Sequence, residues 1–174
     1  MNRRGMCRTV LMGMLVTAGT ALAGPVDLYR LYSDGATDHF YTTSLDEALR
    51  AASYYGYTYE GVSGKCLSTQ ESGTVPLYRL YSYSGRDHFY TTSWQERDIA
   101  IASHGYTDEG VACYVYSWNQ TGTCPFYRLY KSRGSDHFYT LSWQETLNAA
   151  RHYGYTYEGT AAYIFPQTPG SCPY

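Results

Sequence analysis

The sequence predicts an α+β domain built from three ββαβ repeats of 49 residues, arranged around a pseudo-threefold axis and stabilised by disulfides. Three observations predict this fold. The same motifs return at a constant offset of 49 residues without an insertion. Each repeat reads as two strands, a helix and a third strand. Four of the five cysteines follow residue 23. One unit is too small to bury a core alone, so we expect the three to share one, and an open row of units is the alternative.

Residues 1–23 have the three parts of a cleavable signal peptide: a start with three arginines, an apolar or small stretch over residues 10–19, and small residues at Ala21 and Ala23. Cleavage after Ala23 would leave one domain of residues 24–174, secreted or periplasmic and without a membrane span. An uncleaved N-terminal anchor is the alternative.

The charge balance of the remaining domain disfavours nucleic acid as a partner. The chain has 13 basic and 15 acidic residues, and loss of the three arginines would leave 10 basic residues against 15 acidic ones, whereas phosphate binding needs a basic face.

Each repeat is expected to begin with a hairpin of two aromatic-rich strands. The repeats cover about residues 26–74, 75–123 and 124–174. The first strand carries a Leu-Tyr-Arg-Leu-Tyr pattern, at 28–32, 77–81 and 126–130. The second strand follows a polar loop and carries Asp-His-Phe-Tyr-Thr, at 38–42, 87–91 and 136–140.

A helix follows each hairpin, and its start is marked by a capping box. The serine oxygen of such a box accepts a hydrogen bond from the backbone N–H three residues on, where a glutamate reaches back to the serine N–H. Apolar residues at helical spacing, such as Leu45, Leu49 and Trp143, predict a buried face. A glycine with positive φ is expected to end each helix before the third strand. The boxes begin at Ser44, Ser93 and Ser142, their glutamates are Glu47, Glu96 and Glu145, and the glycines are Gly56, Gly105 and Gly154.

An even number of cysteines in a short exported chain predicts two disulfides. We expect Cys113–Cys124, closed by a hairpin near Trp118, and Cys66–Cys172, which would tie the tail to the first repeat. The alternative pairs Cys66 with Cys113 and Cys124 with Cys172. The cysteines and histidines lack zinc spacing, so the sequence predicts no metal site and no cofactor.

The motifs resemble a family of secreted, tyrosine-rich bacterial and fungal repeats of unknown function. The family's three hallmark strands occur in the middle repeat at 77–81, 87–92 and 105–110, and the resemblance covers residues 28–165. The third repeat departs from it with Leu141 in place of the second threonine. The resemblance implies an exported repeat domain, and it supplies no catalytic residue.

Tyrosine dominates the expected core, with 22 tyrosines against 5 phenylalanines. A buried tyrosine needs a partner for its hydroxyl. We therefore expect Tyr–Asp, Tyr–His and Tyr–Arg hydrogen bonds in the interior.

The candidate ligand-binding residues are polar side chains that recur in every repeat. Adjacent Asp and His on a strand point to opposite faces, which disfavours a catalytic pair within one motif. The arginines could stack on tyrosine or pair with the aspartates of the same motifs, which is a structural role, or they could bind a carboxylate or a sugar acid. Trp118 lies outside the repeated pattern and is a candidate for an exposed aromatic contact. The candidates are Arg30, His39, Arg79, His88, Arg128, His137 and Trp118.

The sequence favours a non-catalytic binding domain over an enzyme. A polar feature that recurs three times is needed either for folding or for three equal binding sites, whereas catalysis usually gathers different residues at one place. Export and aromatic content favour cell-surface glycan or peptidoglycan as the ligand class. The alternative is an extracellular hydrolase, or an accessory module to one. Such an enzyme would need a cluster from the polar residues that do not recur, which are His104, His152, Lys65, Lys131 and Asp108.

Overall fold

The computed structural model describes residues 24–173, which form nine strands and three helices. The expected signal peptide, residues 1–23, lies outside this range. The first four elements are β1 (Pro25–Ser33), β2 (Asp38–Thr42), α1 (Leu45–Tyr54) and β3 (Thr58–Leu67). The next four are β4 (Thr74–Ser82), β5 (Asp87–Thr91), α2 (Trp94–His104) and β6 (Thr107–Tyr116). The last four are β7 (Cys124–Lys131), β8 (Asp136–Thr140), α3 (Trp143–His152) and β9 (Thr156–Ile164).

The predicted fold class is wrong. Strands account for 47% of the residues and helices for 21%, and the strands form one connected antiparallel assembly. The protein is therefore a β-rich fold with two disulfides and not an α+β domain of three ββαβ repeats around an axis. The physical reason lies in the helices. Each is 10 or 11 residues long and buries only one or two small side chains, so the helices do not form a layer.

The sheet is connected through three short junctions. β1 lies between β2 and β3, β4 between β5 and β6, and β7 between β8 and β9, and every pairing is antiparallel. The far ends of β3, β6 and β9 then meet one another through single residue pairs. These pairs are Leu67 with Tyr114, Tyr116 with Tyr163, and Lys65 with Phe165. Because the last pair joins the residue after β9 to β3, the three strand ends enclose a common interior.

The three helices begin as predicted, but their glutamates do not complete the capping boxes. Ser44 accepts a hydrogen bond from the Glu47 N–H at 3.2 Å, and Ser93 and Ser142 act alike. The N–H of Ser44, however, donates to the Thr42 hydroxyl, and that hydroxyl donates to the Glu47 carboxylate. Each glutamate carboxylate thus bonds to the threonine two residues before the serine and not to the serine N–H. The predicted glycines at residues 56, 105 and 154 all have positive φ, which confirms the expected helix ends.

The large apolar residues of the predicted helix faces lie in solvent. Leu45, Leu49 and Trp143 are 43–52% exposed, because each helix rests on the strands through alanine instead. Ala48 in α1 is fully buried, and Ala149 in α3 is 4% exposed. The helices therefore pack closely against the sheet through small residues, and they leave large apolar side chains outside.

The main core is built by strand residues and has three tyrosines at its centre. The rings of Tyr41, Tyr90 and Tyr139 meet edge to face, with centroids 5.5–5.6 Å apart. All three are at most 1% exposed. Every hydroxyl of this group, which we call the tyrosine triad, bonds to the backbone of another member. The interior is thus aromatic and rigidly hydrogen-bonded.

The predicted disulfide pairing is wrong, and the alternative pairing is observed. Cys66 bonds to Cys113 and Cys124 bonds to Cys172, with Cα separations of 6.1 and 5.6 Å. The expected hairpin between Cys113 and Cys124 does not form, because β6 pairs with β4 while β7 pairs with β8 and β9. The two cysteines therefore belong to different parts of the assembly.

Candidate functional site

Three clefts of similar make-up open between the strands of one chain segment and the helix of another. We name them by their arginines. The Arg79 cleft is lined from β4 and α1 and has a volume of about 870 Å³. The Arg128 cleft is lined from β7 and α2, and the Arg30 cleft from β1 and α3, each with about 560 Å³. Each holds an arginine, a histidine, two glutamates, a phenylalanine and two tyrosines at equivalent positions, 49 residues apart along the sequence.

The histidine of each cleft is held by an aspartate from a different chain segment. The Asp38 carboxylate accepts a hydrogen bond from the His88 backbone N–H at 2.8 Å, and its other oxygen lies 2.6 Å from His88 Nδ1. Asp87 holds His137 in the same way, and Asp136 holds His39. Because Nδ1 is engaged, Nε2 is the ring nitrogen left for a ligand in the cleft.

Aromatic rings fix the plane of each histidine. The His88 ring lies between Tyr81 and Phe40, with centroids 4.5 and 4.6 Å away. His39 and His137 lie between equivalent pairs of rings. Only 12–13% of each histidine side chain is exposed. The side chain is therefore oriented before any ligand arrives.

The arginine of each cleft is clamped by two carboxylates. Arg79 donates two parallel hydrogen bonds to Glu47 of α1 at 3.0 and 3.1 Å, while its Nε lies 2.9 Å from Glu109 of β6. The guanidinium also lies over the Phe40 ring at 5.4 Å. Arg30 and Arg128 make equivalent contacts. Bidentate pairs of this kind are the strong, geometrically specific ones.

The helix glutamates are ionised in this setting. Burial alone would raise the pKa of Glu47, but hydrogen bonds from Arg79 and Thr42 outweigh it and hold that pKa below its ordinary value. The pKa values of Glu96 and Glu145 are lowered for the same reasons. Each cleft therefore contains a fixed, ionised carboxylate that can accept hydrogen bonds.

The three histidine-holding aspartates converge in the interior. Asp38, Asp87 and Asp136 are fully buried, and their nearest carboxylate oxygens lie within 4.8 Å of one another. Burial raises the pKa of Asp136, but hydrogen bonds and the charge of His39 outweigh this, so the pKa lies below its ordinary value. Tyr57, Tyr106 and Tyr155 also donate to these carboxylates, which confirms the predicted Tyr–Asp bonds.

The geometry of this group fits a hydrogen-bonded core better than a metal centre. In every aspartate one oxygen accepts from a histidine backbone N–H, and the other contacts a histidine ring and a tyrosine hydroxyl. A cation would have to displace these partners. The aspartates therefore act as anchors for the cleft histidines.

The sequence candidates fall into two groups. The predicted arginines and histidines at positions 30, 39, 79, 88, 128 and 137 all line the clefts. Trp118 lies apart from them, 51% exposed and against Tyr116. Of the two structural roles considered for the arginines, pairing with the aspartates is not observed, because glutamates take that place, and each guanidinium lies over a phenylalanine ring.

Sequence reasoning missed the glutamates and the helix contribution to each cleft. The sequence pattern places Glu47 in a capping box and Glu109 in the third hallmark strand, 105–110. Their recurrence beside a recurring arginine was the available signal. Of the two histidines that do not recur, His104 ends α2 at the rim of the Arg128 cleft and His152 ends α3, and both are exposed.

A family model described as a domain of unknown function, DUF5648, matches residues 27–165. The chain belongs to this family. Neither a curated protein nor a solved structure matches the chain significantly. The DUF5648 match covers all three clefts but assigns no chemistry to them. None of the helices that the structure describes is long and apolar enough to cross a bilayer.

Proposed function

We propose that this DUF5648 chain is an exported, non-catalytic domain that binds cell-surface glycan through its three clefts, with the glycan strand of peptidoglycan as the preferred ligand. Residues 1–23 serve as its signal peptide, and residues 24–174 are its single domain. The observation that carries the proposal is the same set of oriented aromatic and hydrogen-bonding side chains in three separate clefts.

The chemistry of each cleft suits a sugar that carries many hydroxyls. Sugar rings offer apolar C–H faces, which pack on aromatic side chains, and hydroxyls, which both donate and accept hydrogen bonds. In the Arg79 cleft, Tyr55 and Tyr81 supply ring faces, the carboxylate of Glu109 accepts, and His88 Nε2 supplies a further polar contact. Tyr81, His88 and Glu109 are fixed by their own contacts, so little ordering of these three is needed upon binding.

The shared arginine is part of the cleft wall and not an open anion site. Arg79 is already paired with Glu47 and Glu109. Its bonds to an acidic ligand would replace existing ones, so it adds little affinity for one. The features that all three clefts share therefore favour the uncharged part of a glycan.

Three weak sites on one molecule gain from a polymeric ligand. Because a glycan strand repeats, occupation of one cleft raises the local concentration of sugar at the others. We expect weak binding to a soluble oligosaccharide and much tighter binding to insoluble peptidoglycan. When one cleft already carries a substitution, an added substitution in a second cleft should weaken peptidoglycan binding far more than the first substitution did.

The test uses two neighbouring tyrosines of similar exposure. Tyr55 is 74% exposed and lines the Arg79 cleft, whereas Tyr54 is 78% exposed and does not line it. Tyr55→Ala should weaken calorimetric binding of N,N′,N″,N‴-tetraacetylchitotetraose at one cleft by roughly tenfold, about 1.4 kcal/mol. Tyr54→Ala is the matched control and should bind as the natural chain does. If the natural chain binds neither chitotetraose nor peptidoglycan, the proposal is refuted.

A hydrolase is the second candidate, favoured by one observation. A buried aspartate at Nδ1 orients a histidine as in a residue that acts as a general base. In the Arg79 cleft, Glu109 Oε2 lies 3.8 Å from His88 Nε2. Release of reducing ends from peptidoglycan by the natural chain, lost in His88→Gln, would favour this candidate. The exposed positions of His104 and His152 at helix ends do not support it.

A further inference from the structure

The walls of the three clefts consist of equivalent residues, but the charges at their rims differ. Among the Lys, Arg, Asp and Glu residues that line the Arg79 cleft, three are arginines and two are glutamates. The Arg30 cleft has two cations and two glutamates. The Arg128 cleft has one arginine and two glutamates. The Arg79 cleft is therefore the one of these three in which positive charge exceeds negative charge.

The excess charge comes from Arg50 and Arg86. Arg50 stands on α1, its side chain is 66% exposed, and its ion pair with Asp46 is a single contact of 3.5 Å. Arg86 precedes β5 and donates one long hydrogen bond, 3.4 Å, to the Gly35 carbonyl. An exposed ion pair of this kind contributes little, so these guanidinium groups can turn to a ligand at small cost. They contrast with Arg79, which is clamped by two carboxylates.

The Arg128 cleft has uncharged residues at the equivalent positions. Ile99 and Ser135 line the Arg128 cleft where Arg50 and Arg86 line the Arg79 cleft. The backbone φ is also nearly the same at these two positions, 53° at Arg86 and 54° at Ser135. The two clefts thus differ in side-chain charge while φ at this position agrees.

We propose that the Arg79 cleft binds the carboxylate of an acidic sugar through Arg50 and Arg86, while the other two clefts bind uncharged sugar. This inference rests on the proposed glycan-binding function and specifies the ligand of one of its sites. Guanidinium groups match a carboxylate in shape and charge. The cleft is also the largest of the three, at about 870 Å³, which leaves room for a substituent on the sugar.

Two disaccharides that differ by one acidic group provide the direct test. N-acetylglucosaminyl-N-acetylmuramic acid carries a lactyl carboxylate that N,N′-diacetylchitobiose lacks. Calorimetry on the natural chain should show one site that binds the muramic disaccharide about tenfold more tightly than chitobiose. One charge-assisted contact supplies a gain of about this size. The preference should shrink as salt is raised, because exposed charges are screened. Digalacturonic acid tests which sugar the site recognises. Binding equal to that of the muramic disaccharide indicates recognition of any sugar carboxylate, and weaker binding indicates recognition of the cell-wall sugar.

Exchange of residues between the Arg79 and Arg128 clefts gives a pair of matched variants. Arg50→Ile with Arg86→Ser installs the residues of the Arg128 cleft and should abolish the preference while chitobiose still binds. Ile99→Arg with Ser135→Arg makes the reverse change and should create a second acid-preferring site. If the natural chain binds both disaccharides equally, or if the Arg50/Arg86 variant keeps the preference, the inference is wrong while glycan binding stands. If the natural chain binds none of these sugars, both the inference and the proposed function fail.

Discussion

Tyr41 and Tyr139 are joined by two hydrogen bonds through a single hydroxyl. The Tyr41 hydroxyl donates to the Tyr139 carbonyl at 2.6 Å and accepts from the Tyr139 backbone N–H at 2.9 Å. The Tyr90 hydroxyl makes the same two bonds to the Tyr41 backbone, and the Tyr139 hydroxyl makes them to the Tyr90 backbone. The tyrosine triad is therefore a closed cycle in which each member satisfies the backbone of the next.

Removal of one triad hydroxyl should destabilise the whole fold. Tyr41→Phe keeps the ring but leaves the N–H and carbonyl of Tyr139 without these partners in a buried place. An unsatisfied buried polar group costs about 1–3 kcal/mol, so we expect a loss of roughly 2–4 kcal/mol in urea unfolding. Tyr54→Phe removes an exposed hydroxyl and should change stability by less than about 0.5 kcal/mol. Equal stability of the two variants would contradict this account of the core.

Alkaline pH should unfold the protein through the tyrosines that bond to the buried aspartates. Burial, together with the nearby Asp38, raises the pKa of Tyr57, and Tyr106 and Tyr155 behave alike. A raised pKa in the folded state means that the stabilisation is fully present below the unfolded value of about 10 and is lost as pH rises above it. Thermal unfolding should therefore show a steep loss of stability above about pH 10. Ultraviolet titration should show these tyrosines ionising together with unfolding and not before it.

The observed disulfides predict a specific response to cysteine replacement. Each closes a loop with a sequence separation of 47 or 48 residues. In the chain-entropy account such a loop contributes about 4 kcal/mol. The double variant Cys66→Ala/Cys113→Ala should therefore lose a large part of the stability while retaining one intact bridge. Non-reducing peptide mapping of the natural chain should recover Cys66 with Cys113, and recovery of Cys113 with Cys124 would contradict the structure.

A glycine at the meeting of β3 and β9 should not tolerate a larger residue. A Cβ on Gly64 would lie 2.8 Å from a methyl of Ile164 and 3.0 Å from the Phe165 carbonyl oxygen. The backbone oxygen cannot move without breaking the pair between Lys65 and Phe165, so Gly64→Ala should cost about 1–3 kcal/mol. Gly35→Ala is the control, because nothing lies within 4 Å of the added carbon. Chemical denaturation of both variants measures the difference.

Local patterns in the sequence predicted local structure well. The serine before each helix, the glycine after it, and the Asp-His-Phe-Tyr-Thr strands all lie where expected. These features depend on interactions between residues a few positions apart, which the sequence displays directly.

Long-range partners were not predictable in the same way. The fold class was wrong because helices with a regular apolar pattern bury alanine and expose Leu45 and Leu49. The partner of Arg79 is Glu47, 32 residues away, and no spacing rule selects it over Asp87 in its own hairpin. The disulfides were mispaired for the same reason, since connectivity depends on which strands become neighbours.

The position of the disulfides makes the two linkers of the protein unequal as cleavage sites. The segments 68–73 and 117–123 are largely exposed and join successive parts of the chain. A protease cut within 68–73 leaves both pieces covalently joined through Cys66–Cys113. A cut within 117–123 leaves one bridge inside each piece and none between them. After such a cut the pieces are held together by non-covalent contacts alone, among them the tyrosine triad, the histidine anchors, the arginine clamps and the strand-end pairs, so a cut in the second linker is the one that allows the two pieces to separate.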